Sequence, residues 1–324
     1  MGFPVLLPEG RRKMRNIEEV IQAVGRVIVG KEEIIRQILM TMLAGGHILL
    51  EDVPGTGKTT LALALTRTLG LNGRRIQFTP DVMPSDIVGY SIYDRESGAF
   101  SYHPGILAGT NLLLGDEINR TSSKTQSALL EAMEEGQVTV DGASYPLPVP
   151  FIVIATQNPL GSAGTHPLPQ AQVDRFMVRL SIGYPDRQAQ MTLLRDRLRE
   201  NPLEAVRPVL SLKEFLQLQA SVRNVTIRDE VLEYIADLAV ASRENEQLDA
   251  GISPRGTLFL TRMAKACAFM DGRDYVVGTD VVTVWHPVCD HRVQLSRRAR
   301  LEGSTQQSVL NQVLSGVRTP DERL

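Results

Sequence analysis

The segment Asp52-Val53-Pro54-Gly55-Thr56-Gly57-Lys58-Thr59 constrains this chain more than any other stretch. It follows an apolar run at 47–51 and opens a helix-forming run at 58–69 that Gly70 closes. A glycine-rich turn between a strand and a helix is suited to holding phosphate. Gly55 and Gly57 let backbone N–H groups curl round phosphate oxygens. The helix N-terminus adds partial positive charge. Lys58 is placed to reach the β- and γ-phosphates, and the Thr59 hydroxyl to bind Mg²⁺. The strict pattern has glycine where this chain has Asp52.

Around this P-loop, short apolar runs alternate with helical stretches. The runs are 47–51, 75–78, 111–114, 151–156 and 176–181. Such alternation predicts a parallel sheet sandwiched by helices. A helix over 124–135 starts with Ser123 and Gln126 in a capping box and ends at Gly136. Two hairpins are inserted. One runs 137–140, turns at Asp141-Gly142 and returns over 143–145; the other pairs 90–93 with 99–103 around Ser97 and Gly98. After Tyr184 and Pro185 the apolar spacing turns helical. Met191, Leu194 and Leu198 form one stripe, Val231, Ile235, Leu238 and Ser242 a second, and Leu260, Met263, Cys267 and Met270 a third. Ser253 and Pro254 cap and open that third helix. The reading is an α/β domain over 1–183, then a small all-α domain over 184–324. Its tail after Arg300 is polar, either disordered or an arm for a partner.

The 324 residues suit two domains, and 43% apolar composition provides a sizeable core. The 35 basic and 37 acidic residues nearly balance. That argues against a non-specific nucleic-acid binder, which carries a basic excess or patch. Two cysteines make no disulfide framework and suit a reducing compartment. Residues 1–15 lack a following apolar stretch, so no signal peptide is read. No uncharged apolar run approaches the roughly 20 residues that span a bilayer. A soluble cytoplasmic protein is expected.

The second chemical element is the apolar run that ends in Asp116 and Glu117. Asp116 would hold the Mg²⁺, and Glu117 would polarise the attacking water as general base. Gln157 and Asn158 close the next run, where a polar side chain can orient that water. Arg175 and Arg255 are cations that could meet developing phosphate charge. On physical grounds alone, the surface ion pair is the favoured reading for both. His286, Cys289 and His291 do not make a metal site, because His291 leaves the helical face that the other two share.

Three stretches carry a resemblance. They are 111–142 (NLLLGDEINRTSSKTQSALLEAMEEGQVTVDG), 84–89 (PSDIVG) and 164–176 (GTHPLPQAQVDRF). Together they resemble the MoxR family of AAA+ ATPases, in the helix-two-insert clade, over roughly residues 16 to 295. The resemblance implies an AAA+ nucleotide-binding domain with a helical lid, in a ring that is usually a hexamer with ATP at the subunit interfaces. It implies Mg-ATP hydrolysis coupled to chaperone-like remodelling or cofactor insertion in a client complex. A partner bearing a von Willebrand factor A domain often takes part. Asn158 then matches the sensor-one residue and Arg255 the sensor-two arginine, on a domain that can move when the γ-phosphate leaves. Arg175 matches the arginine finger, with Arg120 the second choice. The expected nucleotide contacts are Pro54, Gly55, Thr56, Gly57, Lys58, Thr59 and Thr60, with Val29 and Gly30. Thr59 and Asp116 are the expected metal ligands. Gln170 and Gly115 depart from the pattern, as Asp52 does. The motor subunit of a metal chelatase is the alternative, and a DNA-acting motor a weaker one. No Asn-Lys-x-Asp motif supports a GTPase.

Overall fold

Five short apolar runs become one parallel sheet, and their alternation shows why helices bury both of its faces. A computed structural model describes residues 9–53, 55–95, 98–158, 168–197 and 201–320. Helices α1 (Glu9–Gly25) and α2 (Glu32–Leu43) precede β1 (Ile48–Glu51) and α3 (Lys58–Thr68). Next come β2 (Gly73–Gln77), α4 (Pro84–Val88), the hairpin β3 (Gly89–Asp94) and β4 (Ala99–Pro104), and β5 (Leu112–Asp116). A 3₁₀ turn (Ile118–Arg120) leads into α5 (Ser123–Glu135), the hairpin β6 (Gln137–Val140) and β7 (Ala143–Pro146), β8 (Ile152–Gln157), α6 (Gln170–Val173) and β9 (Val178–Leu180). Beyond lie α7 (Arg187–Arg197), α8 (Pro202–Ala205), α9 (Leu212–Arg223), α10 (Asp229–Glu244), β10 (Leu248–Ala250), α11 (Pro254–Met270) and α12 (Gly278–Cys289). The last elements are β11 (Gln294–Leu295), α13 (Arg297–Leu301) and α14 (Gln306–Gly316).

The sheet order is β2-β5-β8-β1-β9, all parallel. Successive strand residues face opposite sides. Ile48, Leu50, Leu112, Leu114, Ile152 and Ile154 therefore enter one core with α1, α2 and α3. Leu49, Leu113, Val153 and Ala155 enter the other, with α4 and α5. Gly115 breaks the apolar run for a steric reason: a Cβ there would lie 2.9 Å from the Phe78 ring.

The α5 cap sits one residue earlier than expected. Ser122 is the cap and accepts from Thr125 N at 3.3 Å, because Ser122 is extended while Ser123 is already helical. The Gln126 amide instead donates to Ile118 O at 3.0 Å, closing the turn after β5. Both inserted hairpins form. At the β6–β7 turn Asp141 and Gly142 take φ 49° and 79°, which suits a tight hairpin. The β3–β4 turn includes Ser97, which lies outside the described residues. The rings of Tyr102 and Tyr145 stack at 3.9 Å and join the two hairpins.

The lid helices bury two of the three expected stripes, on α10 and α11. In α7, Leu194 is exposed, Met191 half-buried and Ala189 buried; Leu198 lies outside the described residues. The lid also holds a small antiparallel pair, β10–β11, which the helical pattern hid. Its buried side chains continue the core that covers one face of the sheet. The described part of the tail, residues 301–320, is neither disordered nor a free arm: α14 buries Val309, Leu310 and Val313. The Trp285 indole donates to Leu310 O at 3.2 Å. Three apolar residues on one turn suffice, although Gln, Ser and Asn dilute them in the sequence.

A buried guanidinium joins lid to sheet. Arg292 donates to Phe176 O at 2.6 Å, Asp174 O at 3.1 Å and Met177 O at 3.2 Å. Its Nε lies 3.0 Å from the Asp174 carboxylate, and it stands over the Phe259 ring. Burial pulls its pKa down to about 10, against the charge of Asp174. Its neighbour His291 meets Phe176 O through Nε2, while His286 meets Asp290 and Asn311 and Cys289 is buried. We expect Leu310→Ala to cost about 2–4 kcal/mol of stability. Denaturant unfolding followed by Trp285 fluorescence measures it, and a change under about 0.5 kcal/mol would be a surface effect only.

Candidate active site

In a parallel sheet all strand ends of one polarity meet at one edge, and here that edge collects the chemistry. β1 runs into the P-loop, β5 ends at Asp116, and β8, lying between them, leads into Asn158. Gly55 and Gly57 take φ 86° and 89°, a left-handed backbone that favours glycine. Gly57 caps α3 with no side chain over the first N–H groups. That leaves those groups directed at the loop, as an anion site requires. Lys58 Nζ donates to Asp52 O at 2.9 Å and Val53 O at 3.2 Å. Desolvation lowers its pKa, opposed by the charges of Asp52, Asp116 and Glu117.

Thr59 Oγ1 lies 3.3 Å from Asp116 Oδ2, and Thr156 Oγ1 lies 3.3 Å from Asp116 Oδ1. Two hydroxyls converging on a carboxylate make a hard oxygen set that suits Mg²⁺. Arg75 Nε also reaches Asp116 Oδ2, at 2.7 Å. Glu117 follows in a left-handed conformation, φ 56° and ψ 52°. That costs a non-glycine residue roughly 1–2 kcal/mol. Its N–H donates to Thr156 Oγ1 at 2.9 Å. Its carboxylate accepts from Arg120 Nη1 at 2.9 Å and Gln77 Nε2 at 3.0 Å. Glu117 is thus held at the mouth of the site. Asn158 O accepts from Asn119 Nδ2 at 3.3 Å, which ties the end of β8 to the turn after the acids.

Beside the loop lies a cavity of about 570 Å³. Gly55 through Thr60 form its polar wall; Val27, Ile28, Val29, Ile182, Tyr184 and Leu193 form its apolar wall. A phosphate-binding wall facing an apolar one suits a nucleotide. Val29 lines it, and Gly30 follows at φ 72°, packed on Ala189. Pro54 lies outside the described residues. Asp52 has a structural reason to replace glycine. Its carboxylate accepts from Ile182 N at 2.5 Å, Ser181 Oγ at 3.0 Å and Gly183 N at 3.1 Å. The P-loop is thereby tied to the segment that forms the opposite wall.

Arg175 and Arg255 are not brought to this edge. Met177 N bonds His47 O, so the segment entering β9 sits beside the start of β1. Arg175 therefore stands at the other edge of the sheet, a strand length or roughly 15 Å from the loop. Arg255, the second residue of α11, stands there too: both ion-pair with Glu134. In this structure Arg255, read from the family likeness as the sensor-two arginine, is paired with Glu134 and stands away from the loop of its own chain. Arg120 stays with its own Glu117. Gln170, the departure from an acid, donates to His291 O at 2.5 Å and so serves the lid join.

Sequence reading missed Thr156, Arg75, Gln77, Glu134 and the role of Asp52. Thr156 left no signal, being a β-branched residue in a strand. Arg75 and Gln77 alternate on β2, next to the acidic strand, and that spacing was the available clue.

The chain matches the model of the ATPase family associated with various cellular activities (AAA) over residues 47–178, and that of the AAA lid domain over 240–313. It is 44% identical to the uncharacterized protein YeaC of Bacillus subtilis, covering 94% of this chain and 95% of that one. It is 37% identical to the chaperone MoxR1 of Mycobacterium tuberculosis, covering 95% and 83%. A crystal structure of a Cytophaga hutchinsonii protein assigned as an ATPase superposes with TM-score 0.88 at 38% identity, covering 96% and 97%. Magnesium-chelatase subunits of plants lie further off, at 27–29% identity over 61% of this chain.

Asp52→Ala leaves the buried N–H groups of Ile182 and Gly183 unpaired, which costs roughly 1–3 kcal/mol. We expect weaker ATP binding together with lower stability. Calorimetric titration and thermal unfolding check both, and unchanged affinity would detach Asp52 from the site.

Proposed function

The chain belongs to the MoxR family of AAA ATPases, and from that membership we propose that it is a Mg-ATP-driven remodeller of client proteins that works as a ring, a hexamer by family likeness. One observation supports the ring reading above the rest. Loop, acids and cavity sit at one edge of the sheet, while Arg175 and Arg255 sit at the other. Stacking copies edge to edge would bring the arginines of one to the phosphates of the next.

Within such a site each group has a task. The loop N–H groups and Lys58 hold the phosphates. Thr59 and Asp116 would hold a Mg²⁺, which would supply charge neutralisation for the phosphates. Arg75, which lies 2.7 Å from Asp116 Oδ2, would share that carboxylate with a metal held there. Glu117 takes the proton of the attacking water, and Asn158 orients that water. Arg175 of the neighbouring copy stabilises the transferring phosphoryl group, as a finger, and Arg255 joins it. We take 1–183 as the nucleotide-binding unit and 184–324 as the lid.

The chaperone name of the mycobacterial relative supports remodelling as the output. A von Willebrand factor A partner and an enzyme complex as client follow from the family likeness. A cytoplasmic setting is consistent with the described helices, none of which is long and apolar enough to cross a membrane. The chelatase reading has thinner support, since those relatives match only part of the chain. ATP-dependent Mg²⁺ insertion into a porphyrin, with the other subunits supplied, would favour it. Balanced charge weighs against a DNA-acting motor.

Two expectations test the proposal. Specific ATPase activity should rise with protein concentration, and Arg175→Ala should bind ATP normally yet turn over about a thousandfold more slowly. Activity flat with concentration, with Arg175→Ala like wild type, would refute the shared site. Glu117→Gln should retain ATP, seen by filter binding, while hydrolysis stops; normal hydrolysis would remove Glu117 as the base.

A further inference from the structure

Glu134, at the C-terminal end of α5, bridges two arginines from different parts of the chain. Its Oε2 lies 3.1 Å from Arg175 Nε, in the segment entering β9. Its Oε1 accepts from Arg255 Nη2, on the first turn of α11 in the lid. The two arginines and Glu134 line a recess of about 250 Å³ with Arg262, two turns further along α11. Three guanidinium groups against one carboxylate leave that recess positive. Held together without an anion, the arginines would repel one another and splay. A carboxylate that engages both orders them, through charge-assisted hydrogen bonds of fixed direction.

We propose that Glu134 is the positioning residue that holds Arg175 and Arg255 as a pair, so that body and lid present two guanidinium groups together to the ATP phosphates bound by a neighbouring copy. This rests on the shared-site reading above. The helix that carries Glu134 starts just after the turn that holds Glu117 and Arg120. Its 13 residues make a rod roughly 20 Å long. One rigid element thus spans from the hydrolytic end of this chain's own site to the arginine pair offered to the next.

The test uses the full-length protein with Glu134→Gln, which keeps the side-chain size and removes the charge. Its kcat should fall about tenfold to a hundredfold, as expected for misplaced catalytic groups. The ATP Kd should stay at the wild-type value, because Glu134 is remote from its own loop. Glu134→Asp, which keeps the charge, should stay closer to wild type. Mixing Glu134→Gln with Glu117→Gln subunits should restore turnover, since the second variant lends intact arginines to the intact sites of the first. A Glu134→Gln kcat at or above wild type overturns the proposal. So does a loss that mixing cannot restore while the parallel mixture of Arg175→Ala with Glu117→Gln does recover. If that control mixture also stays dead, the shared-site reading itself fails.

Discussion

All five strands of the central sheet run the same way, and the rest of the molecule is arranged by that fact. A parallel strand has two chemically different ends. The carboxyl ends gather the P-loop, the two acids and Asn158 within reach of one another. The amino ends gather Arg175, and with it Glu134 and Arg255. Helices cover both faces because the inner strands β1, β5 and β8 are buried at successive positions, while the edge strand β2 leaves Arg74, Arg75 and Gln77 exposed. The order β5-β8-β1 then decides which loops are neighbours. It sets the loop and the acids on either side of β8, close enough for Thr59 to touch Asp116.

Much of this was legible in the sequence. The loop, the acidic strand end, the two hairpins and the five strands each carry a local signal: glycines that need positive φ, an Asp-Gly turn, apolar runs of fixed length. What stayed hidden depends on neighbours far apart in the chain. Asp52 looked like a lapse from the loop pattern, yet its carboxylate serves N–H groups about 130 residues later. Gly115 looked like a gap in a strand, and it makes room for the Phe78 ring. The edge on which Arg175 and Arg255 stand could not be read from motif order, because it requires the strand direction and the docking of the lid. The tail misled for a simpler cause. Its three buried residues form less than one full stripe, and composition weighted the polar majority.

The electrostatic logic differs between the two ends. At the site, cations sit on the acids: Arg75 on Asp116 and Arg120 on Glu117. Both arginines are half-exposed, so water competes for each guanidinium, although the Asp116 carboxylate itself is buried. That suits groups that must trade partners during a reaction cycle. The Arg292 join is the opposite kind. It is almost fully buried and spends its donors on the backbone around Phe176 and on Asp174.

That join limits how the molecule can flex. Breaking a buried charge pair by removing one partner costs about 3–5 kcal/mol. Thermal energy alone rarely opens such a contact, and the lid shares its apolar core with one face of the sheet. The lid is therefore held to the body by a buried charge pair as well as by a shared apolar core. In the ring proposed above, such a join would pass movement of the lid to the body at Asp174 and Phe176, one residue either side of Arg175.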